Sequence, residues 1–316
     1  MDLKIKKYNS EYKSQWNDFV QQAKNATFLF DRNFMDYHKD RFSDFSLMVF
    51  DKQQLRALFP ANISNNKVYS HQGLTYGGIV IDNSVRLSDF IAIFDVIINY
   101  LTENQIDKVF FKTLPHIYSS HFSDELLYAL FLKKAQLYRR DTLTVIDYTA
   151  PQLKYNQLRK RGIKKAEKLG ILIKEGDFDV FWEQLLVPKL NQKYKTNPVH
   201  SLDEIKFLAN NFPNNIRQYV AYYHDIPVAG ATIFETETVA HVQYIAAGEA
   251  KDETGALDYL FDYLINRYKN TKKYFDFGIS NEQDGHILNY GLSFWKESFG
   301  AKIVVHDFYE LGLNRI

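Results

Sequence analysis

Four element starts recur along this chain at one nearly constant offset, and that repetition limits the fold more than any single motif does. In the first half, an apolar strand with a glycine pair (Leu74–Ile81, LTYGGIVI) leads to a helix from about Ser88. The stripe of that helix, Ile91, Phe94, Ile98 and Leu101, has helical spacing. A strand follows from Lys108 (KVFFKT), a helix from Ser123 and a strand from Gln136 (QLYRRDTLTVIDY). The second half repeats the order. Strands cover Arg217–Tyr223, Val228–Glu235 and Val239–Ala247, with Asp225 and Glu237 near the turns. A helix starts at Thr254, striped by Leu257, Leu260, Phe261, Leu264, Ile265 and Tyr268. Then come a strand at Tyr274 (YFDFGI), a helix near Leu288 and a strand at Ala301. Helix, strand, helix and strand each begin 165 or 166 residues after their counterparts. That displacement predicts a tandem duplication of one α/β (α+β) unit, each copy a mixed twisted sheet flanked by helices. The 316 residues suit two domains, 1–150 and 151–316.

Composition narrows the chemistry. With no cysteine, disulfides, thiolate catalysis and cysteine-based zinc sites are all excluded. Basic and acidic residues nearly cancel, 39 against 38, so any site for an anion must be local. The opening MDLKIKKYNSEYK lacks the apolar core of a signal peptide, and the longest apolar runs, such as Phe90–Tyr100, are too short to span a bilayer. The expected location is cytoplasmic.

One such local site lies between the halves. Leu153–Gly176 carries eight basic residues (Lys154, Arg159, Lys160, Arg161, Lys164, Lys165, Lys168, Lys174) against two acidic ones. Ile163, Ala166 and Leu169 recur at three-residue intervals, which predicts an amphipathic helix over about 153–170, with Pro151 as a start signal and Gly170 as a stop. Its basic side is either a solvated face or a means of steering an anionic donor or nucleotide-linked acceptor; Arg161 is a candidate substrate contact. The next helix, Phe178–Tyr194, packs through Phe181, Trp182, Leu185 and Leu190, and Pro188 is expected to bend or end it.

Two places in the second half can carry chemistry. Small residues join the strand ending at Ala247 to the helix at Thr254 (Gly248, Gly255, Ala256), and the unpaired N–H groups of a helix start suit a pyrophosphate, with Lys251 adding charge. The plainer reading is an ordinary helix capped by Thr254. After Asp284-Gly285, Asn289, Ser293 and Lys296 share one helix face beside the stripe Leu288, Leu292, Trp295 and Phe299. Lys296 either holds a developing oxyanion or snorkels to water.

The string NYGLSFWKESFGA (Asn289–Ala301) resembles the closing signature of FemAB-like acyltransferases, a Gly-Leu, a Phe-x-Lys and then Phe-Gly before a last strand. LRKRGIKKAEKLGI (Leu158–Ile171) resembles the central helix of the same family, and FDFGIS (Phe275–Ser280) fits the strand between them. Those proteins are tandem domains of the GNAT (acyl-CoA N-acyltransferase) fold. The resemblance spans essentially the whole chain. It implies that the second unit holds the acyl donor, with its pyrophosphate near Ala247, Gly248, Thr254, Gly255 and Ala256. It also implies that Lys296 lies close to the reacting carbonyl. Of the usual GNAT phosphate loop only Gly255 and Ala256 are recognisable. The long helical hairpin of some peptidoglycan-bridge members has no place between Leu153 and Ser201, which argues against an aminoacyl-tRNA donor.

Other residues carry paired readings. His241, Gln243 and Tyr244 line an acceptor pocket, or His241 is a satisfied sheet histidine. His241 and Glu282 are the candidate general bases, and Asn289 and Tyr76 candidate substrate contacts. Tyr76, Gly77 and Gly78 either line a cleft or serve backbone geometry. His286 is a loop base or an ordinary exposed histidine, and His116 and His121 lack a third ligand for a metal. The expected activity is N-acyl transfer from a thioester, acyl-CoA as donor, to a primary amine, an amino sugar or cell-envelope precursor. The alternatives are an aminoacyl-tRNA-dependent aminoacyltransferase with tRNA as partner, and a non-catalytic GNAT scaffold. No metal is expected.

Overall fold

The computed structural model of the chain describes residues 1–150, 154–249 and 251–313. Pro151 and the side chain of Lys251 lie outside the described residues. By compactness the chain divides into unit 1 (Met1–Asp141, Gln283–Ile287, Val305–Ile316) and unit 2 (Thr142–Glu282, Leu288–Val304). This partition differs from a single cut at residue 150 because Phe308–Gly312 pairs antiparallel with Lys108–Lys112 of unit 1.

In unit 1, β1 (Leu3–Lys7) is followed by α1 (Lys13–Gln22), β2 (Leu47–Asp51), β3 (Gln54–Phe59), β4 (Asn62–Ser64), β5 (Lys67–Tyr69) and β6 (Val80–Ile81). Next come α2 (Leu87–Glu103), β7 (Lys108–Lys112), α3 (Glu125–Leu132) and the start of β8 (Gln136–Asp147). One sheet has the order β1-β2-β3-β6; β7 pairs parallel with β5, and β5 antiparallel with β4. α2 buries Phe90, Ile93, Phe94, Ile97 and Leu101 against Leu47, Val49, Ala57 and Phe111. The strand expected over Leu74–Ile81 is reduced to Val80–Ile81. The glycine pair explains this: Gly77 lies so close to Ser70 that a Cβ would stand 1.8 Å from its carbonyl oxygen, and Gly78 has φ +107°. The strand facing β7 is therefore β5, which the sequence pattern did not single out.

Unit 2 contains the end of β8, then α4 (Gln157–Lys168), β9 (Leu172–Glu175), α5 (Val187–Tyr194), α6 (Leu202–Asn211), β10 (Ile216–Tyr223), β11 (Ile226–Glu235) and β12 (Val239–Ala247). It closes with α7 (Ala256–Tyr268), β13 (Tyr274–Ile279), α8 (Tyr290–Glu297) and the first residues of β14 (Lys302–Gly312). Its strands follow the order β9-β10-β11-β12-β13-β8, antiparallel except for β12 and β13, which run parallel. One face of this sheet is covered by α7 through Leu260, Phe261, Leu264 and Ile265, all fully buried. Each contributes roughly 1.5–3 kcal/mol of burial. Pro188 does not end its helix. The helical backbone runs on through it: a π-helical turn over Phe181–Leu186, with the Val187 N–H on the Trp182 carbonyl, leads directly into α5, so Pro188 lies where the hydrogen-bond ladder changes from π to α. Among the described residues no helix is long and apolar enough to cross a membrane.

Candidate active site

The site of unit 2 begins where two parallel strands stop pairing. β12 and β13 share only three rungs, Val239–Tyr274, Ala240–Phe275 and His241–Asp276, although β12 continues to Ala247 and β13 to Ile279. Each strand carries a bulge just past the last rung. β11 pairs Thr232 with Tyr244 and Ile233 with Val242, which leaves Gln243 as the extra residue. Against β8, Asp276 faces Val145 and Ile279 faces Leu143, so Phe277 and Gly278 together oppose one residue. Bulges re-aim side chains where pairing ends.

Three side chains converge on this fork. His241 Nδ1 lies 3.0 Å from Asp276 Oδ2, and Asp276 Oδ1 accepts from the Gly278 N–H at 2.7 Å. Asp276 is completely buried. Gly278 has φ +74°, a left-handed kink that suits glycine. Beyond the kink, Lys296 Nζ donates to the Gly278 carbonyl at 2.9 Å and to the Ile279 carbonyl at 2.6 Å. Lys296 is 3% exposed, so it does not snorkel. Burial pulls its pKa down to about 8, with the Asp276 carboxylate opposing that fall.

α8 delivers the lysine. Asn289 caps the helix, its side chain accepting from Leu292 N–H at 3.0 Å, and Lys296 follows two turns later on the face it shares with buried Ser293. The neighbouring stripe fixes the rotation of the helix. Trp295 stands edge-on to Phe261, 4.9 Å between ring centroids, and Phe299 packs on Phe277.

A cavity of about 640 Å³ opens in the same unit, lined by Arg159, Arg161 and Lys165 of α4, Lys193 of α5, Ile245 of β12, Gly255, Asp258 of α7, and Asn289 and Trp295. Arg159 pairs with Asp258, which also accepts from Trp295 Nε1 at 3.0 Å. Arg161, Lys165 and Lys193 add further basic side chains to the wall. α4 crosses α7 at its first turn: a Cβ on Gly162 would stand 2.1 Å from Asp258 Oδ2, and one on Gly255 2.3 Å from the Gly162 carbonyl oxygen.

The expected site residues separate into groups. His241 and Lys296 meet at the fork, Gln243 and Tyr244 lie beyond it on β12, and Arg161, Asn289 and Gly255 line the cavity. Thr254 is not the cap of α7. Gly255 in left-handed conformation holds that position, and Thr254 Oγ1 accepts from Ala256 N–H at 3.3 Å. Ala247 faces Ala229 in the sheet, the Gly248 N–H bonds the Val228 carbonyl, and Ala256 is fully buried. Glu282 is exposed and accepts from Asn289 Nδ2 at 3.0 Å. Tyr76 is buried in unit 1, its hydroxyl donating to Thr27 Oγ1 at 3.0 Å. Tyr244 is held by His200, whose Nδ1 lies 2.6 Å from its hydroxyl, and burial pushes it up to about 12. Gln243 Oε1 is buried with no hydrogen-bond partner among the described residues. Sequence reasoning missed Asp276, Asp258, Gly162 and Lys193 as site residues, while Lys165 entered it only as part of the basic helix face. Two of them left signals, an acid between phenylalanines in a buried strand and a glycine inside a helix.

No family model matches the chain, and no curated protein does. Solved structures do. FemX superposes with a TM-score of 0.68 at 10% identity, covering 98% of each chain. The C-terminal domain of a protein described as a lysylphosphatidylglycerol synthetase from Agrobacterium fabrum gives 0.63 at 14%, over 96% of this chain and 93% of that one. A tandem GNAT protein from the clavulanic acid biosynthesis pathway gives 0.56 at 9%, covering 99% of each. This chain has the tandem GNAT fold. In a tandem GNAT fold, the duplicated spacing in the sequence is the repeat of one unit. The parallel pairs β5 with β7 and β12 with β13 then occupy corresponding places: β7 starts at Lys108 and β13 at Tyr274.

Proposed function

We propose that unit 2 is an N-acyltransferase that moves an acyl group from a phosphate-bearing activated donor to a primary amine. The observation that carries this reading is Lys296. Its ammonium has three N–H groups; two are fixed on the Gly278 and Ile279 carbonyls at the fork, and the third remains to bond an oxyanion there. The donor carbonyl would lie in the fork. A neutral amine attacks the carbonyl carbon, the C–N bond forms, and the oxyanion is stabilised by Lys296. The intermediate then collapses with loss of the thiolate or alkoxide, which takes up a proton. His241 accepts the proton that the amine loses, and Gln243 Oε1 accepts a hydrogen bond from the same amine. The acceptor class that fits the family resemblance is an amino sugar or other cell-envelope precursor.

Acyl-CoA is the donor proposed first, its phosphates against Arg161, Lys165 and Lys193. One observation favours an aminoacyl-tRNA instead: α4 covers the first turn of α7, where the GNAT pyrophosphate is expected, and presents cations from α4 and α5 in its place. Calorimetric titration of the whole chain with acetyl-CoA, longer acyl-CoAs and aminoacyl-tRNA tests both. Saturable binding of one donor, weakened about ten-fold or more by Arg161→Ala, is expected. Absence of binding by every donor overturns the transferase reading and leaves a non-catalytic scaffold.

A further inference from the structure

We propose that Asp276 is a positioning residue that fixes His241 in the tautomer with its proton on Nδ1 and its lone pair on Nε2. The proposal rests on the acyltransferase reading for its purpose, but not for its test. Asp276 sits on an interior strand between Phe275 and Phe277, which pack into the core with α7. A carboxylate is retained there only if both oxygens are satisfied, and both are: Oδ2 by His241 and Oδ1 by the Gly278 N–H. An ionised carboxylate only accepts, so Nδ1 must be the donor and Nε2 the basic nitrogen. The ammonium of Lys296, which interacts electrostatically with Asp276, favours that ionised form.

The same carboxylate reaches Lys296 through the backbone. Its bond to the Gly278 N–H holds the kink whose carbonyls, on Gly278 and Ile279, carry the ammonium. One buried acid thereby orients the proposed base and the proposed oxyanion donor together. Among the described residues, the ionisable groups facing His241 include Asp276 from β13, which in turn interacts with Lys296 of α8, and, beyond its register partner Phe234 of β11, His200.

Long-range 1H–15N spectra of the whole chain labelled in histidine, with the His241 signals assigned by their loss in His241→Gln, read the tautomer directly. The Nδ1–H pattern is expected in the wild type, and an Nε2–H pattern overturns the proposal whether or not any acyl donor is ever found. In Asp276→Asn the pattern should move toward Nε2–H. Acyl transfer should lose about 10² in kcat while the donor KM stays within about two-fold. Asparagine keeps an oxygen for the Gly278 N–H and so leaves the Lys296 side of the arrangement in place. Adding Asp276→Asn to His241→Gln should therefore cost little more than His241→Gln alone; additive losses would assign Asp276 a separate role. If Asp276→Asn fails to fold, the wild-type spectrum still decides.

Discussion

Gly162 and Gly255 lie backbone against backbone where α4 crosses the start of α7, with no room for a side chain on either. The two positions differ in what a methyl group would meet. At Gly255 it would meet the Gly162 backbone, and φ +67° already disfavours an L-residue. At Gly162 it would meet the end of the Asp258 side chain, and alanine recovers about 1 kcal/mol of helix propensity. Gly255→Ala should therefore cost about 2 kcal/mol or more and Gly162→Ala clearly less. Urea unfolding measures both; the reverse order would place the close contact elsewhere.

Removing the ammonium should separate chemistry from binding. Lys296→Met is expected to lower kcat by about 10²–10³ and to leave the donor dissociation constant within about two-fold. Steady-state kinetics beside calorimetry show the split. A loss confined to donor affinity would make Lys296 a binding residue only.

The lysine also predicts a pH dependence. Its pKa in the fold is about 8, so transfer that needs the ammonium should weaken as pH rises through about 8. For stability the sign is different. The unfolded lysine keeps its proton to about 10.5, so between about 8 and 10.5 the unfolded state binds more protons and the lysine's contribution to stability rises with pH. Lys112 of unit 1, also lowered to about 8 by burial, acts in the same direction. Unfolding free energies from pH 7.5 to 10 should rise less in Lys296→Met than in the wild type; parallel curves would contradict the buried ammonium.

The cavity cations should set donor affinity. Arg161→Ala with Lys165→Ala is expected to raise the donor KM about ten-fold or more with a small effect on kcat. If the donor is a tRNA, the slope of log affinity against log salt should fall by about 1–2 units. An unchanged KM would move the donor's phosphates to another surface.

The repeat was legible in the sequence because apolar periodicity survives in α2, α7, β7 and β13. The fork was legible only in part. Lys296 and His241 stood out by type and by motif, whereas the acid that joins them is one polar residue in a run of phenylalanines, and only the register of β12 against β13 brings it to His241. β5 was hidden because three residues are too few for a period, while the glycine-broken LTYGGIVI looked more strand-like. Lys193 reaches the cavity from a separate helix, a proximity no local spacing encodes.

Single-turnover transfer to a primary amine, from whichever donor the titration selects and with the amide followed by mass spectrometry, bears most directly on unit 2 as an acyltransferase. Amide should form with the wild type and slow by about 10² in both Lys296→Met and His241→Gln. No amide from a donor that binds would contradict it, whereas an undiminished rate in Lys296→Met would remove Lys296 from the chemistry and leave the class intact.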